Sequence, residues 1–448
     1  MSIRTPPTLL QLAAESLLKD QASAITALEY LPAELFPLLF ILAYFSRRYK
    51  TLKAITQAWP FAVLPVGGLK HRPRVKILKA LLDGLDVVLA QEVRPRRCKL
   101  RVLDLRYMDS DFWKIWCGNS TEKYSSIFPV TEHRSSPNME HPLTPVEVFL
   151  DLNFTERNRD AFFMYVIQWA QQRKGLVHLC CKTLSIAEVP FHRVWQVLDV
   201  VQVDCIQEVE LKCTWDLPTL ELFALYLEQM RNLQRLFLSH IHILGEEEEV
   251  EEQEEDVQEC LQTPLEKFTI THCQCLTHSD LTHLFQCPHL RQLKSLRLYC
   301  ASLDGIIPVP LRALLEALTP TLQELRLDKC KLVDSQVEAI LPVLSRCHQL
   351  SFFTISENRL SLATVGKLLR HTAGLRSLEL ELYPAPLECY TIQGTVNQER
   401  LDKIQAELMG ILKELGQPRS ILLVTKHSGH REYYDVAFSC QGACSLPL

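Results

Sequence analysis

The chain has 448 residues, 47% hydrophobic and 23% charged, the composition of a folded protein whose core can serve several domains or one repeat array. Lys and Arg total 48 against 53 Asp and Glu, and nine of those acids crowd into Glu246–Asp256, so the remainder is close to neutral. That balance excludes the broad basic surface on which phosphate-neutralising nucleic-acid binders depend, and no direct nucleic-acid partner is expected.

Met1–Leu18 lacks the apolar stretch and small-residue cleavage site of a secretory leader. A cytoplasmic and nuclear protein is expected, with its 16 cysteines mostly reduced and buried. The longest apolar run, Leu35–Phe45, is well short of the ~20 residues that cross a bilayer, so no membrane partner is expected.

Apolar spacing predicts helices over 9–18, 22–30, 33–44, 52–58 and 75–89, broken by Pro60, Pro65 and the Gly67-Gly68 pair. An α-helical head therefore occupies residues 1–95. Pro37 is expected to strain the third helix or end it early. A first leucine-rich strand and helix fill 96–118, starting with LRVLDL at Leu100. Residues 119–145 are polar and hold Pro129, Pro137 and Pro142, with Pro145 at the end, which predicts a loop.

From 146 to 448 a self-similar Leu-x-x-Leu-x-Leu segment dominates. Its copies start at Leu176, Ile206, Leu233, Leu265, Leu293, Leu322, Leu350 and Leu375, with spacings of 30, 27, 32, 28, 29, 28 and 25 residues. In the best copies the pattern continues to Cys330 and Leu332, or to Asn358 and Leu360, and the Cys or Asn can bond the backbone of a bend. Ser335–Cys347 follows with Val337, Ile340, Leu341 and Leu344 at helical steps. A strand-plus-helix unit near 28 residues cannot bury its own apolar side, so the units are expected to stack. The fold class is α/β: a leucine-rich-repeat horseshoe solenoid behind an N-terminal α-helical head. The acidic run falls within the longest spacing and reads as a solvated insertion.

The tail holds His427, His430, Cys440 and Cys444, residue types that bind zinc, but a capping strand over 421–424 is the stronger expectation. No P-loop, nucleophile elbow, HExxH or dinucleotide fingerprint occurs, so a non-catalytic protein without cofactor or metal is expected.

The strings SLLKD (Ser16–Asp20), LPAELFPLLF (Leu31–Phe40), TLKAITQAWPF (Thr51–Phe61) and LLDGLDVVLAQEVRPRRCKLRVLDLR (Leu81–Arg106) resemble the PRAME family of leucine-rich-repeat proteins. CTWDLPTL (Cys213–Leu220), LSHIH (Leu238–His242) and YPAPLECY (Tyr383–Tyr390) extend the resemblance over nearly the whole chain. It implies a substrate receptor for a cullin-2 ubiquitin ligase that promotes proteasomal degradation. Elongin B and elongin C are the implied direct partners, with cullin-2 beside them and a RING subunit reached indirectly.

Thr8, Leu9, Ala13 and Leu17 match the elongin-binding box, with Ala13 where the usual motif prefers Cys, and steps of four put them on one helical face. Leu31, Pro32, Leu35 and Leu39 match the cullin-2 box, with Pro32 suited to the first turn of a helix. The same stretch, with Trp59 downstream, also resembles an F-box, whose partner would be Skp1. A further reading, transcriptional corepressor or nuclear-receptor scaffold, follows from the family's link with receptor repression. The LxxLL strings at Leu78–Leu82 and Leu311–Leu315 fit it in form, although both fall on helices predicted to be packed.

The client is expected on the third, fifth and seventh positions of the strands, which alternate away from the core. Arg235, Phe237, Lys267, Arg297, Tyr299, Arg326 and Phe352 are the chosen contacts, and Arg297 and Arg326 are expected to engage one acidic client segment. The last copy would contribute Ser377, Glu379 and Glu381. The bland alternative has the tail partly covering the aromatics.

Overall fold

The computed structural model describes residues 9–69, 75–91, 95–106, 113, 145–155, 161–215, 217–241, 263–273, 276, 278–304, 308–416, 419–427 and 430–438. The chain divides into one unit of Met1–Lys182 with His192–Val203 and another of Thr183–Phe191 with Asp204–Leu448. Helices alternate with largely parallel strands in both, a mixed α/β architecture.

The first unit opens with α1 (Leu9–Lys19), α2 (Gln21–Ala27), α3 (Leu35–Phe45), α4 (Tyr49–Gln57) and α5 (Val75–Leu89). Each lies within a few residues of its expected place. The exception in kind is Pro37. Because α3 begins at Leu35, Pro37 sits in the first turn, where a residue has no intrahelical N–H bond to lose, and the helix runs on to Phe45. The expected strain or early end does not arise. For the same reason Pro32 lies outside the helix, its carbonyl accepting from Leu35 N at 3.2 Å.

Phe36, Phe40, Trp59 and Trp113 form the aromatic centre of this unit. Phe40 stacks on Trp113 at 5.3 Å and meets Trp59 edge-on at 5.7 Å, and the two indole N–H groups donate to the carbonyls of Val63 and Pro65, each at 2.9 Å. These bonds fix β1 (Val63–Pro65), a three-residue strand without any leucine signature that the sequence reading missed. It pairs in parallel with β2 (Val102–Asp104), and the sheet continues through β3 (Val146–Phe149), which is followed in the chain by β4 (Leu152–Thr155). After α6 (Ala161–Gln171), β5 (Val177–Cys180) joins the sheet beside β3. Just after β1 the backbone passes so close to Arg106 that a Cβ on Gly67 would meet its carbonyl oxygen at 1.6 Å, so only glycine fits there.

The second unit is built on β6 (Thr183–Ala187) and, after β7 (Val201–Gln202) of the first, β8 (Glu208–Lys212) and β9 (Arg235–Ser239). It continues with β10 (Lys267–Thr271), β11 (Ser295–Tyr299), β12 (Glu324–Asp328), β13 (Phe352–Thr354) and β14 (Leu380–Pro384), neighbours in chain order and all parallel. From His192 onward α7 (Phe191–Leu198) belongs to the first unit, whereas α8 (Leu217–Leu227), α9 (His278–Gln286), α10 (Pro308–Leu318), α11 (Asp334–Leu344), α12 (Leu362–Thr372) and α13 (Gln398–Glu414) belong to the second. From α9 to α13 each helix packs on the next. Leu296, Leu298, Leu325, Leu327 and Phe353 on the strands and Leu311, Leu315, Val337, Leu341 and Leu368 on the helices are buried. At the far edge β15 (Arg419–His427) pairs in parallel with β14 and antiparallel with β16 (His430–Phe438), so the expected capping strand is one arm of a hairpin.

Two polar devices hold the bends. Asn358 accepts from the backbone N–H of Cys330 at 3.0 Å and of Leu332 at 3.1 Å, and donates to the carbonyls of Leu327 at 2.6 Å and Ile355 at 2.8 Å. One buried amide thereby satisfies the bends of two successive repeats, as the sequence pattern suggested. The residue after a strand recurs with positive φ, at Glu188, His240, His272, Cys300 and Lys329, and Glu357 repeats it three residues past β13, so one tight turn recurs along the edge of the sheet.

The last repeat corrects the sequence reading. Phe352 aligns with Leu380, so the repeat begins at Leu378 rather than Leu375, and the spacing is 28 residues, not 25. Its fourth position is then Glu381, only 3% exposed, and not an outward side chain. Arg419 compensates the buried carboxylate: Nε donates to Oε1 at 2.6 Å, a second N–H donates to Oε2, and others reach the Leu369 carbonyl and the Thr372 hydroxyl. The Tyr383 hydroxyl also donates to Glu381 at 2.7 Å, and burial pushes the Tyr383 pKa well above its ordinary value.

Candidate partner-binding surfaces

α1 rests on α2 and α3 through Ala14 and Leu18, its two buried residues. The opposite edge carries Leu9, 86% exposed, with Leu12 and Ala13 also exposed and Leu17 half-buried at the flank. Leu9, Ala13 and Leu17 do share a side of one helix, and that side is not spent on the core. Thr8 lies outside the described residues. The helical face thus offers an apolar ridge with a small residue at its middle, the form a groove accepts from an amphipathic helix.

The second box is less free. Pro32 is exposed, Leu31 and Leu35 are half-buried, and Leu39 is 1% exposed, packed in the helical core. The Leu31 carbonyl accepts from Arg97, whose guanidinium lies 5.7 Å over the Phe36 ring, so the segment before α3 is tied down. Trp59 is fully buried. The LxxLL leucines are buried as well, Leu78, Leu81 and Leu82 in α5 and Leu311, Leu314 and Leu315 in α10, so neither string presents its leucines to a receptor.

On the second unit the strands turn their third, fifth and seventh positions away from the buried leucines. Arg235, Phe237, Lys267, Arg297, Tyr299, Arg326 and Phe352 are all half-buried there. Several are already engaged. Glu324 binds both Arg297 at 2.6 Å and Arg326 at 2.5 Å and accepts from Ser295 at 2.8 Å. Burial alone would raise the Glu324 pKa, but these three donors outweigh it and hold the carboxyl below its ordinary range. The two arginines expected to capture an acidic segment face each other in the register and therefore share one carboxylate, which stands opposite Ser295 and two residues before Arg326. Glu324 holds the third position of its repeat, one of those expected to alternate away from the core, and the choice of the two arginines did not weigh it against them.

Tyr299 is contacted by the terminal hairpin. Arg431 lies 5.4 Å over its ring, donates to its hydroxyl at 3.2 Å and pairs with Glu357 at 2.5 Å, while Lys329 lies 6.0 Å over the same ring. His272 meets the ring edge-on at 5.0 Å and stacks on His240 at 4.8 Å. Burial first, then His240 and nearby lysines, lower the His272 pKa, favouring its neutral form. His240 and His272 were not singled out in the sequence, and their only signal there is a His one residue past each strand.

Among the described residues no group of His, Cys, Asp and Glu could hold a metal ion, and Cys440 and Cys444 lie outside them, as does the acidic run. No helix among them is long and apolar enough to cross a membrane. The described cysteines are mostly buried, and burial pushes the Cys330 thiol up to about 12.

Comparison with known proteins is consistent along the chain. A PRAME N-terminal domain model matches residues 6–113, and a PRAME C-terminal domain model matches 146–256 and 245–444. PRAME family member 12 of Homo sapiens is 44% identical over 484 residues, covering 99% of each chain. PRAME family members 8 and 7, also of Homo sapiens, are each 44% identical over 469 residues, covering 97% of this chain and 98% of theirs. The chain belongs to the PRAME family.

Proposed function

We propose that this chain is a non-catalytic substrate-recognition subunit of a cullin-2 ubiquitin ligase, acting in cytoplasm and nucleus. The single observation that carries the reading is the uncovered apolar edge of α1, where a helix with a good buried side still leaves Leu9 86% exposed. A folded chain gains nothing from such an edge unless a partner covers it. Elongin C, joined to elongin B, would receive Leu9, Ala13 and Leu17. Cullin-2 would touch Leu31, Pro32 and Leu35, with Leu39 setting the helix from within. The repeats, read as a horseshoe solenoid from their 28-residue period and parallel register, would carry the client. Such an adaptor needs no chemistry, because it acts by raising the client's effective concentration at the ligase.

Co-expression with tagged elongins tests the reading. Elongin C should be recovered with the wild-type chain and not with Leu9→Asp, because an exposed Leu can be replaced without harm to the core while a carboxylate cannot enter an apolar groove. Equal recovery with both chains, or recovery of Skp1 instead, overturns it.

A further inference from the structure

The outward side chains of β9, β10 and β11 include Arg235, Lys267 and Arg297 and no acid, whereas the strands on either side carry Glu208 and Glu324. Those flanking acids bind the outer two cations, Arg235 at 2.7 Å and Arg297 at 2.6 Å. Lys267, in register with Arg235 on one side and Ser295 on the other, has no ion-pair partner among the described residues. Beside it, Thr269 is 9% exposed, and its Oγ1 has no hydrogen-bond partner in the protein. The Nε of Arg297, next to Thr269 in the register, has none either. A buried hydroxyl and a buried guanidinium N–H are costly to leave unpaired, and a ligand acceptor that reached them would offset that cost.

We infer that this field receives a carboxylate side chain on an extended acidic segment of a partner protein. The charge balance selects the chemistry. Among the described residues Arg235, Lys267, Arg297 and Arg326 stand against Glu208, Glu210 and Glu324, which leaves about one net positive charge, enough for a carboxylate. A phosphate dianion would bring about twice the charge that the field can balance. Strands about 4.8 Å apart make the field roughly 10 Å wide, which three or four extended residues cross. Phe237, in register with Thr269, supplies an apolar contact for the flanking residues. Only the description of the partner as a ligase client rests on the adaptor reading; carboxylate binding does not need elongin.

The test uses the full chain and fluorescein-labelled octaglutamate, octaglutamine and a phosphoserine peptide of equal length, read by anisotropy. Octaglutamate should bind about tenfold more tightly than octaglutamine, and Lys267→Glu should remove about tenfold of that affinity. Thr269→Val should weaken octaglutamate binding without lowering the thermal midpoint, since the hydroxyl makes no bond in the protein, whereas a structural hydroxyl would lower the midpoint. Equal binding of octaglutamate and octaglutamine, indifference to Lys267→Glu, or tighter binding of the phosphoserine peptide overturns the inference. Elongin C recovery is read on the same samples: its failure counts against the adaptor reading, and the peptide affinities decide this one.

Discussion

α1 and α10 are both eleven-residue helices rich in leucine, and they spend it in opposite ways. In α10, Leu311, Leu314, Leu315 and Leu318 are all buried, while in α1 Leu9, Leu10 and Leu12 stand in solvent and only Ala14 and Leu18 are covered. Periodicity is the same kind of evidence in both. What differs is the neighbour: α10 lies between α9 and α11 in a run of stacked units, whereas α1 meets α2 and α3 with one narrow side. An apolar stripe therefore reports that something covers it, and the fold decides whether that is the protein itself or a partner.

The comparison breaks most sharply where a covered position is emptied or left with an unpaired charge. Glu381→Gln strands the Arg419 guanidinium in the core and should cost about 3–5 kcal/mol in denaturant unfolding. Replacing Glu381 and Arg419 together by Leu should recover most of that loss. Leu315→Ala in α10 should cost about 2–5 kcal/mol by the same measurement.

Smaller effects sharpen it. Glu324 ionises below its ordinary 4.5 in the folded chain, so its contribution to stability is present above pH 4.5 and is lost as pH falls through the lower folded value. Glu324→Gln should lower the thermal midpoint at neutral pH and flatten its fall in that acid window, so that the two chains converge below it. Leu9→Ala should alter stability by no more than about 0.5 kcal/mol, because its side chain is already in water. Loss of elongin C recovery from that still-stable variant would separate docking from folding.

Much of the fold was legible because the same physics recurs. The helical head appears within a few residues, and repeat starts from Leu100 to Leu350 lead into observed strands, since leucines at positions one, four and six have to face a core. The failures are local. At the last repeat the core position is Glu381, so the leucine rule broke and Leu375 gave a false match three residues early. No leucine count could reveal that Arg419, 38 residues onward, neutralises it. β1 was missed because its three residues are held by two indole N–H bonds rather than by a pattern of their own. Of the candidate surfaces, the ridge of α1 was visible from steps of four. The neutralisation of Arg297 and Arg326 was not, because it depends on cross-strand register.

Hydrogen exchange of the chain with and without purified elongin B and elongin C tests the central claim most directly, since it asks what covers α1. The account predicts slowed exchange over Leu9–Lys19 on addition of the elongins, with Pro308–Leu318 unchanged. Unaltered exchange over Leu9–Lys19 at elongin concentrations that saturate other box-bearing helices would contradict it.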